Sequence, residues 1–111
     1  MADSAATGVP LDLAHLRRQT GGDAALEREV LSLFLAKART DIDRITNPGS
    51  AQERREAAHA LVGSARAIGA VEVARLAATV ERETEVQSAA IAPLKDALRA
   101  AEGFIHRHLR G

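Results

Sequence analysis

Apolar residues recur at intervals of three and four along this chain, and period-two clusters of Val, Ile and Thr are absent. That spacing predicts amphipathic helices rather than strands. Proline and glycine divide the pattern into segments. Pro10 opens a short helix carrying Leu11, Leu13 and Leu16, and Gly21-Gly22 closes it. Asp23 is a good N-cap for a second helix, with Leu26, Val30, Leu33, Phe34, Ala38, Ile42 and Ile45 along one face. Asn47-Pro48-Gly49 ends it in turn geometry. Ser50 and Glu53 form a capping box for a third helix, which should run to Ile68 and stop at Gly69. A fourth helix places Val73, Leu76, Ala77 and Val80 at helical spacing, and Gln87-Ser88 breaks its charged end. A fifth starts between Ser88 and Pro93 and carries Ile91, Leu94, Leu98, Ala101, Ile105 and Leu109. Pro93 belongs in its first turn.

The expected fold is all-α: an antiparallel four-helix bundle with a short additional N-terminal helix packed across one end. Residues 1–9 are expected to be a flexible tail and residues 10–111 the bundle domain. Alanine, the strongest intrinsic helix former, is the most frequent residue and occurs throughout. Its small side chain lets helices approach closely, so this bundle can be tight without aromatics.

Composition narrows the function. With 111 residues, 46% hydrophobic and 27% charged, the chain should fold as one soluble domain. Fifteen basic and fifteen acidic side chains cancel, which argues against sequence-independent nucleic-acid binding. The absence of Cys removes disulfides, thiolate zinc sites and cysteine nucleophiles. Phe34 and Phe104 are the only aromatics, too few for a base-stacking platform. No apolar run is long enough for a membrane span, and the N-terminus lacks a secretory pattern, so a cytoplasmic, monomeric protein is expected. His106 and His108 stand two apart, and His15 has no carboxylate placed as a metal ligand, so no metal site is expected.

The third helix holds the candidate chemistry. At about 100° per residue, Ala57, Leu61, Ser64, Ala65 and Ile68 share the core side. His59 falls on the opposite side, among Gln52, Arg55, Glu56, Val62, Gly63 and Arg66. An exposed histidine alone is commonly plain surface. Gly63, one turn on, changes the weighting, because a mid-helix glycine costs about 1 kcal/mol relative to Ala. Away from the core, close packing does not explain it. Removing a side chain beside an exposed His gives another molecule access to the ring.

The run from Ala58 to Ala70, AHALVGSARAIGA, resembles the histidine-containing phosphotransfer (HPt) family. His59, Leu61, Gly63, Ser64, Ala65, Gly69 and Ala70 match the family motif in order and spacing. The resemblance covers most of residues 11–85, with LDLAHLRRQTGGD and VLSLFL upstream and VARLAATVERE downstream. It implies a four-helix bundle whose exposed His59 carries a phosphoryl group between receiver-domain aspartates. The partners implied are the receiver of a hybrid histidine kinase and that of a response regulator, which would also supply Mg²⁺. The chain has no Walker-type or Gly-rich phosphate loop, so no autonomous kinase activity and no cofactor of its own are expected.

One position departs from the pattern: Val62 stands where the family usually has Lys. Arg55 and Arg66 are the cations expected to stabilise the phosphate instead, the other reading of both being solvated surface charge. Gln52, Val62 and Gly63 are expected to contact the partner, with Val62 joined by apolar residues of the neighbouring helix. The attacking atom is expected to be the outward Nε2; Glu56 reads as solvated helix surface, the alternative being an orienting partner for the ring. Glu81 and Glu83 read as solvated surface, and Ser64 as bonding back to the carbonyl of Ala60. Val62 in place of Lys also leaves open a second function: a module that docks receivers or a kinase without carrying phosphate.

Overall fold

The computed structural model of the chain describes residues 10–83 and 88–110. The expected tail over residues 1–9, Gln87 of the fourth-helix break and the terminal Gly111 lie outside the described residues. Among the described residues there are five helices and no strand: α1 (Leu13–Thr20), α2 (Ala24–Thr46), α3 (Ala51–Ile68), α4 (Val71–Arg82) and α5 (Ile91–Arg110). No helix there is long and apolar enough to cross a membrane.

α1 begins later than expected. Asp12, not Pro10, sets its start: the Asp12 carboxylate accepts from the His15 N–H at 3.1 Å. Leu11 therefore precedes the helix, yet it is buried. Gly21 closes α1 in the left-handed conformation, φ 64°, which glycine adopts without steric cost.

α2 starts at the Asp23 cap as expected, but its buried stripe is rotated. Glu27, Leu31, Phe34, Ala38, Asp41 and Ile45 are buried, whereas Leu26 and Leu33 are 41% and 62% exposed. Two charged residues, Glu27 and Asp41, occupy the buried stripe, so apolar positions alone do not mark it. Asp41 is fully buried and takes both carboxylate contacts from Lys37, at 2.7 and 2.8 Å. Glu27 is held by His108 of α5, whose Nε2 lies 2.6 Å from its Oε2.

The cap of α3 has an unexpected return arm. Ser50 Oγ accepts from the Glu53 N–H at 3.1 Å. The Glu53 carboxylate then accepts from the Gly49 N–H at 2.6 Å, one residue before the cap, and from Arg44 Nε at 3.3 Å. The Gly49 bond first, and then Arg44, hold the Glu53 carboxyl below its ordinary range. At the other end Gly69 is in the left-handed region, φ 78°. A Cβ there would lie 2.9 Å from the Asp12 carbonyl oxygen, and the Asp12 N–H donates to the Gly69 carbonyl at 2.9 Å. α1 is thereby tied to the end of α3 at a spacing only glycine permits.

α3 packs most extensively on α4 and α2, α5 packs on α4 and α2, and α1 lies against α2 and α3. With neighbours on two sides, α3 buries a wider arc than its wheel suggested. Arg54, Ala58 and Val62 join Ala57, Leu61, Ala65 and Ile68 inside. Alanines at 57, 58 and 65 of α3 and at 74 and 77 of α4 are buried. α4 ends at Arg82, and Glu83 is already extended. Pro93 is the third residue of α5, inside its first turn, where no intrahelical N–H is required.

Candidate functional site

His59 projects from the middle of α3 with its side chain 76% exposed. Its Nδ1 lies 2.7 Å from Oε2 of Glu81 on α4, and the Glu81 side chain is 34% exposed. The contact crosses from one helix to the next, so it fixes the ring by the spacing of α3 and α4. A carboxylate accepts only, so a neutral ring facing it carries its proton on Nδ1. The Nε2 lone pair is then free, on the ring edge turned away from Glu81.

Glu56 does not orient the ring and stands at the helix surface, its side chain 59% exposed, the favoured of its two readings. It accepts from Gln52 Nε2 at 3.1 Å and lies 3.8 Å from Arg44. Glu81 and Glu83 are not idle surface. Glu81 holds His59, while the Glu83 carbonyl accepts from buried Arg54 at 3.0 Å and its carboxylate accepts from the Ser88 hydroxyl.

The residues expected around His59 divide. Gln52, Arg55, Gly63 and Arg66 are exposed with it. Val62 is not: it is only 5% exposed and belongs to the core. Buried between α3 and its neighbours, it cannot be the exposed docking contact. A Cβ added at Gly63 would meet no atom within 4 Å. The missing side chain thus leaves open space rather than accommodating a neighbour within the chain. Arg55 and Arg66 make no ion pair among the described residues. Ser64 bonds back as expected, its Oγ donating to the carbonyls of Ala60 at 3.2 Å and Leu61 at 3.3 Å.

The remaining histidines stand apart from this site. His108 is engaged with Glu27 and stacks on Phe104 at a centroid distance of 6.5 Å. No group of three His or carboxylate side chains among the described residues is placed to hold a metal ion.

Fold and site together define a helical bundle that offers one oriented imidazole to the outside from the flank of a helix. The family model of the Hpt domain matches residues 29–104, which run from α2 through most of α5 and include His59. The chain belongs to the Hpt domain family, whose members carry out histidine phosphotransfer in phosphorelays. No curated protein and no solved structure matches it.

Proposed function

We propose that His59 is the phosphorylated residue and that the chain, as an antiparallel four-helix bundle with α1 across one end, relays phosphate between two receiver domains in the cytoplasm. The observation that carries this reading is the Glu81 contact to Nδ1, which leaves Nε2 free on a side chain 76% exposed. Nε2 attacks the phosphorus of a receiver's aspartyl phosphate. The N–P bond forms as the acyl P–O bond breaks, and the receiver carboxylate leaves with the electron pair. The ring becomes cationic with its proton retained on Nδ1, where the Glu81 carboxylate stabilises the charge, as the buried Asp does in hydrolase triads. Transfer to the second receiver reverses these steps. Mg²⁺ and the aspartate belong to the receivers of a hybrid histidine kinase and of a response regulator.

Arg55 and Arg66 supply the positive charge that the family's Lys would bring. Gln52 and Gly63 lie in the contact surface, and Gly63 admits the receiver. The apolar contact that buried Val62 cannot give comes from Leu33 of α2, which is 62% exposed. Arg44 reaches Glu53 and Glu56 near the start of α3. Three turns back along an antiparallel α2, Leu33 stands near the height of Gly63 to Arg66.

The test is incubation with a ³²P-labelled phospho-receiver and Mg²⁺. Acid-labile, base-stable label is expected on the wild type and none on His59→Gln. Receiver binding without label would instead identify a docking module, the reading that Val62 in place of Lys favours. Label that persists on His59→Gln would place the site elsewhere.

A further inference from the structure

A cleft of about 470 Å³ opens where the start of α1 meets α3 and α4. Arg66, Arg75 and Arg82 line it, with His15 and Asp12 at the α1 side. The chain as a whole is neutral, so three guanidinium groups around one cavity are a local concentration. Their pairing differs. Arg75 is spent on Glu72, donating from Nε at 3.0 Å and from a terminal nitrogen at 2.5 Å. Among the described residues, Arg66 has no carboxylate partner and Arg82 bonds only the Thr79 hydroxyl, at 3.3 Å. The one acidic lining residue, Asp12, already accepts from the His15 N–H as the cap of α1. Among the described residues, then, two guanidinium groups without a carboxylate partner line a cavity whose one carboxylate caps α1.

The rest of the lining is apolar. Ala74 and Ala78 line the cleft from α4, and Val71, 68% exposed, stands beside them. The volume lies in the usual range for a small-molecule site, about 300–1,000 Å³. Guanidinium forks match phosphate oxygens bidentately, and small apolar side chains leave room for a flat ring.

We propose that this cleft binds a small organic phosphate of the nucleoside diphosphate class, with Arg66 and Arg82 holding its phosphates and the α4 alanines facing its ring. Arg66 is shared with the phosphate role proposed for it beside His59. The site itself does not depend on phosphorylation of His59, because neither His59 nor Glu81 lines it.

The test is a titration of ¹⁵N-labelled protein with ADP at constant ionic strength and without divalent metal, read by amide and Arg Nε–H chemical shifts. Saturable shifts are expected at Gly69, Val71, Ala78 and the side chains of Arg66 and Arg82. Adenosine, which lacks the anion, should give none. The Arg66→Gln/Arg82→Gln double variant should lose at least tenfold in affinity while the α5 resonances stay in place. His59→Gln should bind ADP as the wild type does, which keeps this result separate from the phosphotransfer test. Shifts that do not saturate, or that spread equally over exposed arginines such as Arg39, Arg99 and Arg107, would overturn the site. So would adenosine binding as tightly as ADP, or undiminished ADP binding by the double variant.

Discussion

His59 and Glu81 divide one task between two helices. The imidazole supplies the nucleophile, and the carboxylate decides which nitrogen it is. Glu81→Ala should lower the rate of label transfer about tenfold, the lower end for loss of a ring-orienting partner. Circular dichroism and the thermal midpoint should hold, since the Glu81 side chain is one-third exposed. An unchanged rate would make the contact incidental. Gly63 offers a sharper separation of fold from function. With nothing within 4 Å of its Cβ position, Gly63→Ala should raise stability by about 0.5–1 kcal/mol, read by urea unfolding. Gly63→Gln should fold equally well and slow transfer, because only a docked partner meets the added side chain. The sequence made His59 and Gly63 legible, since both belong to one helix and one motif. It did not reveal Glu81, which lies 22 residues away on another helix, while Glu56 offered a carboxylate one turn from the ring. A wheel sees neighbours along a helix and none across a seam. Val62 was misplaced for the same reason, because the arc that α3 buries is set by the helices packed against it.

At the scale of elements, the caps were readable and their exact wiring was not. Asp23, Ser50 and Gly69 all stand where the sequence put them. The reciprocal arm of Glu53 reaches Gly49 and Arg44, because the preceding turn folds its N–H toward the carboxylate. This wiring has a pH signature. The folded carboxyl titrates below its ordinary value, so its contribution to stability is complete above the unfolded carboxylate range. It is lost as pH falls through the lowered folded value. The stability difference between wild type and Glu53→Gln should therefore be constant near neutrality and shrink below about pH 4 in urea titrations. A difference that stays constant into acid would show that ionisation of Glu53 contributes nothing. The rotated stripe of α2 has another cause. Glu27 and Asp41 sit at core positions through partners on their own or a distant helix, and a hydrophobic pattern does not register a buried, paired carboxylate.

For the whole molecule, the number and order of helices followed from periodicity and from Pro and Gly punctuation. How α1 joins the rest did not, because its anchor is a backbone contact between Asp12 and Gly69. That joint is tight. Gly69→Ala adds strain at positive φ and a Cβ 2.9 Å from the Asp12 carbonyl oxygen. It should cost more than about 1 kcal/mol in urea unfolding, with α1 amides losing hydrogen-exchange protection first. Equal protection across α1 and α3 in the variant would argue against the joint. The Hpt match starts at residue 29, so α1 is an element this chain holds in place outside the matched region.

The buried alanines of α3 and α4, two helices packed extensively on each other, have a consequence for the ring held between them. Alanine has no rotamers to lose, so burying it costs almost no side-chain entropy. It also has none to adjust. Where leucines meet, a small displacement is absorbed by a change of χ angles; where Ala58, Ala65, Ala74 and Ala77 are buried, any change of spacing moves the backbones themselves. The separation of His59 from Glu81 thus follows the spacing of the two backbones. The bundle works as a ruler, and the orientation of one imidazole is what it measures.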